Sequence, residues 1–183
     1  YDILASFLKL DKVKSELIKI KELEKKYLDY GSGSGRHLNH IRELYPKWKL
    51  VIAGARRFAD APAGSYEAKV GKAIAPLGDQ AEMLGFIPPA TVRLWQERAA
   101  IAACPSIWQE PLGKVVVEAL AGGCAVLTTR CGGIPEVAEG RALIIDNPTV
   151  PAFCNGFRTL LSDETLRSDL QMKAWSDFPF TSA

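Results

Sequence analysis

Several things are scarce in this 183-residue chain, and each scarcity narrows the field. No apolar run approaches the roughly 18 residues that a membrane-spanning helix needs, so no transmembrane segment is expected. Charge of one sign is missing too: 23 Lys+Arg stand against 21 Asp+Glu, and a formal net charge of +2 gives no field that would gather nucleic acid or an anionic membrane. Cysteine is sparse, and Cys104, Cys124, Cys131 and Cys154 form no C-x-x-C pair, which argues against a zinc site or a disulfide framework and for buried thiols. Only two histidines occur, His37 and His40, and no carboxylate or thiol stands near enough to make them a metal site. Internal repeats and low-complexity tracts are absent. The opening YDILASFLKLDKVK lacks the layout of a secretory signal, so a cytoplasmic location is expected.

What is present is ample core material, at 48% hydrophobic residues, enough for one ordinary domain. Charge is unevenly spread. Residues 1–50 carry 11 basic and 7 acidic side chains, whereas residues 51–183 carry 12 and 14, and the Lys-rich text gives way near residue 48 to Ala, Gly, Pro and Trp. In the first stretch Ile3, Phe7, Leu10, Val13, Leu17, Ile20 and Tyr27 recur at helical spacing. They predict an amphipathic helical arm over 1–26 with a solvated lysine face, Asp11 capping its second part.

From Tyr27 onward short apolar runs alternate with helical stretches. Strands are predicted at 27–30, 49–54, 81–86, 101–104, 124–129 and 142–146. Helices are predicted near 36–44, 65–75, 90–98, 112–121 and 134–138, with two more after 149. That alternation predicts an α/β fold, a doubly wound Rossmann-like parallel sheet of about six strands over 27–183.

Ligands of such a sheet bind beyond the carboxyl ends of its strands, so the strand-to-helix loops carry the functional reading. The most informative is PSIWQEPLGKVVVEALAGG, where seven residues separate Glu110 from Glu118 and Pro111 opens the predicted helix. Free amides at a helix start favour anionic oxygens, Gly113 has no side chain to hold a phosphate away, and Lys114 adds a point charge. A carboxylate accepts two hydrogen bonds at once, which suits Glu118 to the vicinal hydroxyls of a ribose and Glu110 to those of a sugar. Taken singly, both acids also fit the ordinary fate of surface carboxylates. A second loop, TTRCGGIPEVAEG, leaves a strand through Gly132 and Gly133 and enters a short helix at Pro135 with Glu136 in its first turn. A tight turn with acid at the helix start explains it without a ligand.

The string EPLGKVVVEALAGGCAVLTTRCGGIPEVAEG, with the preceding PSIWQ, resembles the E-x7-E region of family-4-type retaining glycosyltransferases of the GT-B fold. The similarity runs from about Trp48 to the C-terminus, where KAWSDFPF is similar to the family's closing segment. The resemblance implies the donor-binding domain of such an enzyme, with a nucleotide-diphosphate sugar as donor substrate and no other cofactor. It further implies that Glu118 binds the ribose and that Glu110, the candidate catalytic residue, binds donor sugar and phosphate with the Leu112 and Gly113 amides. Gly132, Gly133 and Glu136 fall beside the pocket. The acceptor domain of that family would be a separate partner that this chain lacks, so the chain is expected to bind donor and be inactive alone.

A third loop, YLDYGSGSGRHLNHIREL, places Gly31, Gly33 and Gly35 between a predicted strand and helix, the layout of a phosphate or cofactor loop, with Arg36 just after. It is similar to the first motif of class I S-adenosylmethionine-dependent methyltransferases. The glycosyltransferase family instead has an arginine and then a lysine for the diphosphate here. In LVIAGARRF, Arg56 and Arg57 stand where a methyltransferase has a ribose-binding acid. The expectation is a join, a methyltransferase-like βα unit over 27–47 and a glycosyltransferase-like remainder over 48–183. Two other readings stand beside the donor-binding one: a noncatalytic Rossmann-like scaffold, and a methyl-donor-binding fragment.

Overall fold

The computed structural model describes residues 5–10, 45–54 and 66–176. In chain order these are β1 (Ala5–Leu10), β2 (Trp48–Ala53), α1 (Tyr66–Ile74), a 3-10 segment (Ala75–Gln80), β3 (Ala81–Gly85), α2 (Pro89–Arg98), β4 (Ile101–Cys104), α3 (Lys114–Ala121), β5 (Ala125–Thr129), α4 (Ile134–Ala138), β6 (Ala142–Ile145), α5 (Val150–Ser162) and α6 (Glu164–Ser176).

The parallel strands fall into two groups, β3–β2 and β4–β5–β6, two plus three rather than about six. Between the groups runs β1, antiparallel to both β2 and β4, giving the order β3-β2-β1-β4-β5-β6. Ala5–Leu10 is therefore a strand where helical spacing predicted part of an arm. Six apolar-rich residues are too few for periodicity to separate the two states, and backbone partners on both sides decide it. The rest of the predicted arm, the 27–30 strand and the 36–44 helix lie outside the described residues, as do Gly31, Gly33, Gly35 and Arg36.

Helices cover both faces because the central strands are apolar on both sides. On one face Ala102 and Cys104 of β4 and Val126 of β5 pack with Val116, Ala119 and Leu120 of α3 and with Ile134, Val137 and Ala138. On the other, Ile101, Ala125 and Leu127 pack with Leu160, Leu170, Phe153 and Phe157 of the last two helices. Phe153 and Phe157 meet edge to face at 5.5 Å. Trp48 supports this layer: the Arg167 guanidinium lies 5.3 Å from its ring centroid and donates to the Leu160 carbonyl at 2.7 Å. Burial lowers the pKa of Arg167. A Lys49–Glu82 bridge of 2.5 Å ties β2 to β3.

Helix α3 begins at Lys114, two residues later than the predicted 112, and Pro111 stands outside it. Gly113 is the reason: as N-cap it takes φ 70°, ψ 50°, a left-handed conformation that stops the helix from extending backward through it. Thr149 caps α5 through its hydroxyl, which accepts from the Ala152 amide.

Candidate functional site

The loop between β4 and α3 leaves the carboxyl edge of the sheet and returns through Gly113 into a helix with no capping side chain. Among the described residues no acceptor meets the amides of Leu112, Gly113 or Lys114. A hollow of about 50 Å³ opens there, lined by Glu110, Gly113 and Lys114 with Cys104, Ser106 and Ile134. Its size suits a few ligand atoms rather than a whole nucleotide, whose pocket spans roughly 300–1,000 Å³, so most of a ligand here lies across an open surface.

Glu110 is half-buried, and the indole N–H of Trp108 donates to its Oε1 at 2.8 Å. Glu118 does not line the hollow; it stands one turn into α3, with Lys114 Nζ 3.6 Å from its Oε1. That pair is largely solvated and weak, and Lys comes first in the helix, the less favourable order. The two acids nevertheless share a neighbourhood. The buried Cys104 thiol is pushed up from its ordinary pKa by burial first, then by Cys124, and then by the charges of Glu118 and Glu110. Burial also pushes Cys124 up, to about 12. All four cysteines are free thiols.

Gly132 and Gly133 are brought against Glu110, but their amides face protein. The Gly132 amide donates to Gln109 Oε1 at 2.8 Å, and the Gly133 amide to the Glu110 carbonyl at 2.7 Å. A Cβ on Gly132 would fall 2.1 Å from the Glu110 carbonyl oxygen, and one on Gly133 would fall 2.2 Å from that of Pro111. These glycines let one loop approach another. Glu136 is exposed in the first turn of the five-residue α4, and Leu112 is 43% exposed on the rim with Trp108 at 50% and Ile107 at 80%.

Three residues that sequence reasoning did not place in the site hold its loop, and a fourth, Arg130, braces the neighbouring strand ends. Thr128 donates to the Cys104 carbonyl at 3.0 Å, and Thr129 donates to the Ser106 carbonyl. Gln109 receives Gly132, as above. Arg130 donates to Asp146 at 2.5 Å and Glu139 at 2.8 Å, clamping the ends of β5 and β6, and these bonds, Glu139 first, raise its pKa. Its position directly before the Cys-Gly-Gly turn was the available signal.

Residues 11–176 match the family described as glycosyl transferases group 1. This chain belongs to that family. The group 1 glycosyl transferase match takes in the 27–47 segment as well as the loops just described. YtcC of Bacillus subtilis (strain 168) is 30% identical over 140 residues, which is 75% of this chain and 34% of that protein. Among solved structures, HepE of Anabaena in complex with UDP-glucose superposes with a TM-score of 0.58 at 20% identity, covering 88% of this chain and 50% of that one. The C-terminal domain of the group 1 family protein LpcC from Francisella tularensis gives a TM-score of 0.60 at 23% identity, covering 78% and 75%. The chain thus has the GT-B, Rossmann-like glycosyl transferase fold and spans about a third of the length of YtcC. Among the described residues no helix is long and apolar enough to cross a membrane.

Proposed function

We propose that the chain is the donor-binding half of a family-4-type retaining glycosyltransferase, which moves a sugar from a nucleotide diphosphate to an acceptor held by a second domain. The observation that carries this reading is the uncapped start of α3, where unbonded amides, Lys114 and Glu110 meet at one hollow. A lysine in the first turn lies at the positive end of the helix dipole, an unfavourable place until an anion arrives. A diphosphate fits that need.

In this reading the Leu112 and Gly113 amides and Lys114 take up charge that develops on the departing diphosphate. Glu110 accepts hydroxyls of the transferred sugar, and Glu118, farther along α3, accepts those of the ribose. Gly132 and Gly133 back the loop that carries Glu110, and Glu136 follows them beside the donor in this reading. Transfer needs the acceptor held against the donor by that second domain, so in this reading the residues described above bind donor and do not turn it over by themselves. HepE was crystallised with UDP-glucose, which favours a uridine diphosphate sugar as the first candidate.

Titrating the chain with UDP-glucose, GDP-mannose and ADP-glucose by calorimetry tests this. Saturable micromolar binding of one of them, removed by Glu118→Gln, is the expected outcome. A chain that binds none is the noncatalytic scaffold, a reading that the small hollow and the position of Glu118 outside it favour. The family match from residue 11 to 176 includes Gly31, Gly33, Gly35 and Arg36, which favours one family origin for this loop over a methyltransferase-like join.

A further inference from the structure

Four hydrogen bonds run from the end of β5 and its following turn to the last residue of β4 and the loop after it, carrying the pairing of these two strands on past the sheet. Thr128 donates to the Cys104 carbonyl, Thr129 to that of Ser106, the Gly132 amide to Gln109 Oε1 and the Gly133 amide to the Glu110 carbonyl. Three acceptors are backbone carbonyls, which every residue type has. The fourth is a side chain, so at Gln109 the residue type decides whether the bond exists.

Its place in the loop gives that bond leverage. Gln109 stands between Trp108, whose indole holds the Glu110 carboxylate, and Glu110 itself, whose backbone lies so close to Gly132 that no Cβ fits between them. Gly132 is at φ 57°, a left-handed conformation that residues with a side chain rarely adopt. Without the side-chain oxygen, the Gly132 amide loses its partner and the Gln109–Glu110 pair keeps one of its two hydrogen bonds to the turn, that of the Glu110 carbonyl.

We infer that Gln109 is a positioning residue for Glu110: its side-chain carbonyl, seated on the Gly132 amide, fixes the loop so that the Glu110 carboxylate stays against Trp108 at the hollow. Its consequence for donor binding rests on the donor-site reading above; its consequence for the loop does not. Gln109→Met keeps the length of the side chain and removes the acceptor, whereas Gln109→Glu keeps an acceptor oxygen at the same reach.

The experiment reads both variants of the full chain against wild type by amide hydrogen exchange at Gly132, by the Trp108 indole N–H resonance, and by the Kd for UDP-glucose. Gln109→Met is expected to exchange Gly132 about tenfold faster and to shift the indole resonance, while Gln109→Glu retains wild-type protection. Binding of UDP-glucose weakens about tenfold in Gln109→Met, with a melting temperature close to that of wild type. Unchanged Gly132 exchange and an unchanged indole resonance in Gln109→Met overturn the inference, as does equal loss in both variants. A wild-type chain that binds no UDP-glucose counts against that donor alone, and exchange with the indole signal then decides the role of Gln109.

Discussion

The indole nitrogen of Trp108 and the carboxylate of Glu110 are 2.8 Å apart, a hydrogen bond between residues two positions apart on an exposed loop. Ser106 reaches the same oxygen only at 3.5 Å, so Trp108 is the principal restraint on the acid. Trp108→Phe keeps the ring and deletes the donor. At about 1 kcal/mol for such a bond, the Kd for a bound nucleotide sugar rises about fivefold, measured by calorimetry, with little change in melting temperature.

Gly132→Ala and Gly133→Ala destabilise the fold, because the new methyl group meets main-chain oxygen that cannot swing aside. At Gly132 the left-handed backbone adds strain. Each substitution should cost about 2 kcal/mol or more, visible as a lower midpoint in urea. Gly140→Ala, where a Cβ meets nothing within 4 Å, is the comparison; there only the backbone penalty at φ 74° remains.

Lys114→Ala separates binding from folding. The side chain is 84% exposed and its pairing with Glu118 is loose, so stability barely moves. Donor affinity falls, and its dependence on salt concentration becomes shallower, since a charge facing the diphosphate has been removed. Equal salt dependence in variant and wild type would count against this role.

Leu127→Ala tests the other face of the sheet. Leu127 is fully buried against the last two helices, and its loss should cost about 2–5 kcal/mol, read from chemical denaturation.

Alkali should destabilise the protein through its buried thiols. The Cys124 pKa is raised from 9.0 to about 12 in the folded state, so its stabilising effect is complete below pH 9 and is lost as pH rises through 12. In that window the unfolded chain has already lost its proton while the folded chain retains it, and stability falls by about 1 kcal/mol per pH unit for such a group. Cys124→Ala should flatten the fall of melting temperature above pH 9.

Much of this was legible from residue order. β5 was readable because Val126 and Leu127 continue an unbroken apolar run, and α4 because Ile134-Pro135 follows two glycines. Glu110 could be singled out by its local string. What escaped was set by distant partners. Ala5–Leu10 is a strand because two other strands lie beside it. Gly132 and Gly133, which the resemblance set beside the donor pocket, are room for another stretch of this chain, 23 residues back in the case of Gln109. Neither fact has a local signature.

The packing of Arg167 over Trp48 closes a span of more than a hundred residues, from the second strand to the final helix. Closing a loop of that length costs conformational entropy before the contact can stabilise anything. While the chain is being synthesised, the sheet face bearing Ile101 and Leu127 therefore stays uncovered until the last two helices emerge, and a nascent chain stalled before residue 150 would offer that face to chaperones.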